Sequence, residues 1–311
     1  MKTGDGMRLS MKVSGEDHKK TVKYILKNRL HLSERLVKKL KYSGNIFLNT
    51  IPVHVNAEVL EGDLVEALVE LEEFNDAIVP EPLPIDILFE DEYLIAVNKP
   101  PGMVVHPTFS HVSGTVANAL VYHLLCKDVR TLVRPVSRLD KDTSGIILFA
   151  LNPFIQENLV GQMRSGSFLK EYVGLVHGNP EEPRGTINLP IERLPGSIML
   201  RHVTADGSPS ITHYEVLEQF SNAAYVKFTL ETGRTHQIRV HCQASGHPLV
   251  GDTLYDLPVF HDNLTGLMKR QALHSVRSVI THPFTGNMIE LEAPVPDDIV
   301  KALEILRNKL L

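Results

Sequence analysis

The stretch that most constrains this chain runs from Arg134 to Ala150 and reads RPVSRLDKDTSGIILFA. A polar, turn-forming segment from Arg138 to Gly145 passes directly into an apolar run, Ile146 to Leu151. That run is apolar at both parities, which suits a strand covered on both faces. A buried central strand holds the loop before it rigidly. A carboxylate in such a loop, with arginines on either side, is a better candidate for chemistry than one on a mobile surface. Asp, Ser and Gly also favour ordinary turns. Taken alone, the stretch reads slightly better as an acidic turn before a strand, and the rest of the chain has to decide.

Around it the sequence predicts more strands than helices. ILFEDEYLIAVNK gives two strands about an Asp-Glu turn, followed by strands around FLKEYVGLVHG, THYEVLEQF and AAYVKFTLETG. In FLKEYVGLVHG, Lys170, Tyr172, Gly174 and Val176 share one face. RTHQIRVH is read as continuing the last of these strands, and RQALHSVRSVITHPFTGNMIELEAPVP as a hairpin on a Thr-Gly turn. Helical spacing recurs at Val116, Leu120, Val121 and Leu124. Asn152-Pro153 is a cap with proline at the first helical position, opening a helix to about Arg164, and a last helix starts near Asp297. Strands and helices do not alternate regularly, so the fold class is α+β with a mixed, largely antiparallel central sheet.

The net charge of −5 hides a segregation. Residues 1–57 hold twelve Lys/Arg against four Asp/Glu, a balance of +8, while residues 58–92 hold thirteen acids and no Lys or Arg. A compact module at +8 attracts a phosphate backbone whatever the total is. The acidic stretch beside it would repel the same backbone, so nucleic acid should meet one face only. TVKYILKNRL has helical spacing. In the next segment Ser33 is an N-cap and Gly44 a stop, with Leu36, Val37 and Leu40 on one face. Arg35, Lys38, Lys39 and Tyr42 fall on another, a basic face suited to phosphate contact. A solvated helix would also show charge, but this face has no acid after Glu34. Residues 75–86 carry prolines at 80, 82 and 84 and read as an extended linker. The chain thus divides into a lead-in or edge strand at 1–18, a small helix-and-hairpin module at 19–74, the linker, and a large domain at 87–311.

No apolar run approaches the roughly 20 residues of a membrane span, and the first residues lack a signal-peptide core. Cys126 and Cys242 are too few and too far apart for a disulfide framework. The reading is a cytoplasmic protein. Three polar groups compete for the chemistry. A zinc site from His236 and His241 fails if RTHQIRVH is a strand, because residues five apart point to opposite faces. Asp140 and Asp142 lie in one turn, whereas glycosidic hydrolysis needs carboxyls flanking a bond. The third group joins Arg138, Asp140, Tyr172, Arg234 and Arg239. On a strand only one of Arg234 and Arg239 can reach a given carboxylate, and the core-facing look of Ile238 and Val240 puts Arg239 on the open side.

RLDKDTSG, KEYVGLVHG and TGRTHQIRVHCQASGHPLVGDTLY resemble the three signature blocks of the RluA-like family of RNA pseudouridine synthases. NKPPGMVVHP and RQALHSVRSVITHPFTG resemble its flanking segments. The similarity covers about residues 86–305, and residues 19–72 resemble the S-four RNA-binding domain that often precedes this catalytic domain. One departure is Ser137, where the family usually has histidine. The resemblance implies isomerisation of uridine within RNA, ribosomal favoured over transfer, by a monomer with no cofactor and no metal. It makes Asp140 the catalytic aspartate, Arg239 its partner arginine and Tyr172 the active-site tyrosine. It makes Arg138 the residue that fills the space of an extruded base, with Arg234 also against the RNA. The competing reading is an RNA-binding assembly factor that keeps the fold without catalysis.

Overall fold

The structure, a computed structural model, describes residues 7–69, 78–257, 264 and 266–308. Its N-terminal part comprises β1 (Met7–Lys12), α1 (Val22–Asn28), α2 (Glu34–Ser43), β2 (Ile46–Leu48), β3 (Ile51–Pro52) and β4 (Leu64–Val69). The strands pair antiparallel in the order β1-β4-β2-β3, so Met7–Lys12 is an edge strand of this sheet. Ser33 Oγ accepts the Leu36 N–H at 3.1 Å and opens α2; Gly44, left-handed at φ 74°, closes it. Leu36, Val37 and Leu40 are buried, while Arg35, Lys38, Lys39 and Tyr42 face solvent. Residues 70–77, which include the start of the expected linker, lie outside the described residues. From Ile78 onward the linker is pinned: Asn118 Nδ2 donates to Val79 O, and the Gly114 N–H donates to the Glu81 carboxylate.

The large part contains β5 (Asp86–Glu90), β6 (Leu94–Lys99), α3 (Val116–Cys126), β7 (Arg134–Pro135), β8 (Ser144–Ala150), α4 (Pro153–Ser165) and β9 (Leu169–His177). It continues with β10 (Arg184–Asn188), β11 (Ile191–Arg193), β12 (Arg201–Val203), β13 (Ile211–Gln219) and β14 (Ala223–Leu230). The last elements are α5 (Gln237–Ala244), β15 (Leu273–Thr281), β16 (Met288–Glu292) and α6 (Asp297–Asn308). One sheet runs β10-β13-β14-β9-β15-β8-β6-β5, with β16 on β15 and β7 on β8. Every residue of β8 is buried. Ile146, Leu148 and Ala150 pack with α4 and the N-terminal module, and Ile147 and Phe149 pack with α3. Two covers explain why this strand is apolar at both parities. The modules also meet where Ser33 Oγ donates to Glu157 of α4.

Among the described strands the one parallel pairing is β15 with β8, at His274–Ser144 and Ser275–Gly145. The strands come very close here: a Cβ on Gly145, at φ 106°, would lie 2.2 Å from Ser275 O. Glycine is therefore required at the exit of the acidic loop. Beyond these two pairs β15 turns to β16 and β8 to β7, so the sheet opens directly beside the loop that carries Asp140.

The structure corrects one element. RTHQIRVH is not a strand: Gln237–Ala244 is helix α5, entered from His236 at φ 59°. Period-two alternation misleads because the helix is covered on nearly every side. Gln237, Ile238, Arg239, Val240, His241 and Cys242 are all buried. Its polar side chains are satisfied internally, Gln237 by Thr212 and Ile211 O, and His241 by Thr212 Oγ1 and Leu189 O. Polarity along this segment therefore says nothing about exposure.

Candidate active site

Asp140 lies in the loop at the opening of the sheet, four residues before β8. The loop is held from behind by Lys99, at the end of β6. Lys99 is fully buried, and its Nζ donates to Pro100 O, Met103 O and Lys141 O at 2.8–2.9 Å. Burial pulls the Lys99 pKa down to about 7, with Arg270 acting in the same sense and Asp142 and Asp140 against it. The Gly102 N–H also donates to Lys141 O at 3.0 Å, and Arg270 Nη1 to Asp142 O at 2.9 Å. The Lys141 and Asp142 carbonyls, just after Asp140, are thus fixed by three donors.

Arg239, the third residue of α5, reaches across to this loop. Its Nη1 donates to Asp140 Oδ2 at 3.0 Å. On its other side Nε and Nη2 donate to both oxygens of Asp252, at 2.7 and 2.8 Å. Arg239 is 5% exposed and Asp252 2%. A bidentate, buried partner of this kind fixes a guanidinium in orientation as well as in charge. Burial opposes the Arg239 charge, but Asp252 and Asp140 outweigh it and its proton is held more firmly than in water. Asp252 is itself aimed by the Leu254 and Tyr255 N–H groups. It follows Gly251, where φ is 77° and a Cβ would lie 2.3 Å from Arg270 O.

Tyr172, on β9, pairs with Ser275 of β15 on one side and Phe228 of β14 on the other. Burial, opposed by a hydrogen bond from Ser275 and helped by the nearby Asp140 charge, pushes its phenol up to about 12. At neutral pH it is an uncharged phenol. The structure therefore brings Asp140, Tyr172 and Arg239 together. Arg138 lies at the rim, with Nη2 donating to Thr235 Oγ1 at 2.8 Å. Arg234 is turned away from the carboxylate, its Nε donating to Pro209 O at 3.3 Å. Arg239 is the arginine that pairs with Asp140, but the reason is helix geometry, not strand parity.

Arg35, Lys38 and Lys39 stand on the N-terminal module, away from this cleft. Glu34, the one acid on the same helix, is clamped by Lys23 and Lys27 at 2.6 Å each, and these pull its pKa down to about 2. The basic face is left without an opposing free acid on its own helix. Lys38 and Tyr42 also line a groove of about 260 Å³ with Lys23, Lys41 and His54. Among the described residues no cluster of His, Cys, Asp and Glu is arranged to hold a metal ion, and no helix is long and apolar enough to cross a membrane.

Four residues at the site are not legible as such in the sequence. Asp252, Lys99 and Tyr255 sit within the quoted GDTLY and NKPPG segments, and nothing in composition or spacing marks their roles. His236 stands out in the sequence only as a metal-ligand candidate. A buried arginine facing a partly exposed carboxylate, 24% exposed at its side chain, needs a second acid. That requirement is the physical signal for Asp252.

Residues 93–244 match the family described as RNA pseudouridylate synthase. The chain is 38% identical over 276 residues to the RNA pseudouridine synthase YjbO of Bacillus subtilis, covering 88% of this chain and 95% of that one. It is 37% identical over 273 residues to ribosomal large subunit pseudouridine synthase D of Neisseria meningitidis, covering 85% and 72%. Human RNA Pseudouridylate Synthase Domain Containing 4 shares the fold, with a TM-score of 0.55 at 24% identity over 71% of this chain and 93% of that one. The chain belongs to the RNA pseudouridine synthases, and it is an isomerase.

Proposed function

We propose that this enzyme converts uridine to pseudouridine in ribosomal RNA, with Asp140 as nucleophile. The observation that carries the reading is the charge arrangement at Asp140. Oδ2 is bonded by Arg239, which Asp252 anchors from behind, and Arg239 leaves Oδ1 unheld. One oxygen is neutralised and held, and the other keeps its lone pairs for attack. In the reaction Asp140 bonds to the nucleotide and is expelled again before product leaves. The bond from ribose to the ring nitrogen breaks and that nitrogen gains a proton, while a bond to ring carbon 5 forms and the hydrogen of carbon 5 leaves as a proton. Electrons balance within the nucleotide, so no oxidant, reductant or cofactor is required.

Tyr172, uncharged at neutral pH, stacks on the uracil and carries a proton during the transfer. A uridine in a stem or loop leaves its stack at a cost of about a few kcal/mol. Arg138, tethered to Thr235 by one hydrogen bond, can swing into the vacated space, where a flat guanidinium stacks on bases. Arg234 flanks the RNA, and Arg35, Lys38 and Lys39 add backbone affinity without selecting the site. The enzyme works as a monomer in the cytoplasm. The names of several relatives, among them those from Neisseria, Pasteurella and Nitrosomonas, support ribosomal RNA as the substrate.

The test is to map pseudouridines in ribosomal and transfer RNA from cells that lack the protein, and from such cells given wild type or Asp140→Asn. The reading expects ribosomal sites that vanish without the protein and return only with Asp140 present. Sites confined to transfer RNA would overturn the substrate, and restoration by Asp140→Asn would overturn the nucleophile.

A further inference from the structure

We propose that His236, locked in a single tautomer by Tyr255, is a positioning residue that presents an Nε2–H to the free oxygen of Asp140. The proposal rests on Asp140 being the nucleophile and adds a group that aims it. His236 Nε2 lies 3.7 Å from Asp140 Oδ1, the oxygen that Arg239 does not hold. Its Nδ1 lies 2.8 Å from Tyr255 Oη. Tyr255 Oη already accepts the Arg201 N–H at 2.9 Å. Its own hydrogen is therefore free to point at Nδ1, which then accepts and leaves the proton on Nε2.

The opposite tautomer would set a bare ring nitrogen against a carboxylate oxygen, two acceptors face to face. Electrostatics and the hydrogen-bond chain select the same state. The ring is 10% exposed and its attitude is fixed. The Tyr255 ring meets it edge-on at 5.5 Å and also lies 5.0 Å from the Arg239 guanidinium. The groups around the imidazole are Asp140, Arg239, Arg201, Asp252 and Tyr255. Burial, with Arg239 and Arg201 acting in the same sense, lowers the His236 pKa against the opposing pull of Asp140 and Asp252, which favours the neutral ring. A neutral donor can orient Oδ1 without bonding so strongly that it quenches attack. The 3.7 Å gap in the free enzyme closes to a hydrogen bond when substrate enters.

His236 also holds a left-handed backbone, φ 59°, at the start of α5. Among side-chain-bearing residues Asn accepts that conformation most readily. This separates the backbone role from the donor role. Asn places its amide near Nδ1 of the histidine, whereas Gln places its amide near Nε2.

The experiment compares single-turnover isomerisation by His236→Gln and His236→Asn, with RNA affinity measured alongside. The expected result is Gln within about threefold of wild type, with Asn slower by about ten- to a hundredfold at unchanged affinity. Equal rates for the two variants, whether both fast or both slow, would overturn the proposal. Nitrogen-15 spectra of the wild-type protein read the tautomer directly. A protonated Nε2 and a bare Nδ1 are expected, with Tyr255→Phe mixing the two forms; a protonated Nδ1 in wild type would overturn it. If Asp140→Asn stays active, the nucleophile itself is wrong; if only the His236 pair behaves alike, this inference alone is wrong.

Discussion

Replacing Asp252 by Asn tests the anchoring of the site from behind, at a residue about which the reaction itself says nothing. The backbone N–H groups of Leu254 and Tyr255 and Arg239 Nη2 all bond to Oδ1, while Arg239 Nε bonds to Oδ2. In the asparagine variant Oδ1 keeps its partners, but an NH2 faces the Arg239 Nε–H, donor against donor. Removing one member of a buried ion pair typically costs about 3–5 kcal/mol. Asp140 still supplies a counter-charge here, so the lower end, about 3 kcal/mol, applies. At about 2–4 °C per kcal/mol, Tm should fall by roughly 6–12 °C. Arg239 loses its fixed attitude, and a shift of about 1 Å at a reacting group costs on the order of a hundredfold in rate. Differential scanning calorimetry and single-turnover kinetics on the same preparation read both effects, with RNA affinity as control. An Asp252→Asn enzyme with wild-type Tm and rate would refute the view that Asp252 orients Arg239.

Arg239→Met should reduce the single-turnover rate far more than Arg234→Met, by on the order of a hundredfold or more, because only Arg239 bonds Asp140; comparable losses would contradict the geometry. Charge reversal at Lys38 and Lys39 should weaken RNA binding and lower the slope of log affinity against log salt, by about one for each phosphate left without its lysine. An unchanged slope would mean that this face is only solvated. Burial holds His274 at about 4 against an ordinary 6.5, with its neutral ring between Ser144 Oγ and Ala293 O. Its folded pKa lies below its unfolded one, so its stability contribution is complete above pH 6.5 and is lost as pH falls toward 4. The loss is about 3 kcal/mol, and denaturant titrations should show it shrinking in a His274→Gln variant.

Much of this architecture is readable in the sequence because local rules and tertiary packing agree. Ser33 and Gly44 bound α2 as their cap chemistry predicts, Asn152 and Pro153 open α4, and β8 is apolar at both parities because α3 and α4 cover its two faces. Gln237–Ala244 breaks that agreement: polar residues there are buried and bonded inward, so alternation mimics a strand. Asp140, Tyr172 and Arg239 can be singled out from motif resemblance; Arg239 bonds Asp140 directly, and Tyr172 stands near enough to feel the Asp140 charge. Asp252, Lys99 and Tyr255 cannot, because each acts on a partner far away in sequence or across a turn that no local pattern marks. Lys99 meets Lys141 O only once β6 pairs with β8, and Asp252 meets Arg239 only once the chain after α5 has turned back on the helix.

The central claim is that the Asp140 carboxylate, held by Arg239, attacks the substrate. The most direct measurement is tritium release from RNA labelled at carbon 5 of uridine, comparing wild type with Asp140→Asn at saturating enzyme. The account predicts that the variant binds the RNA yet releases no tritium above background. Release at a rate near wild type would contradict it.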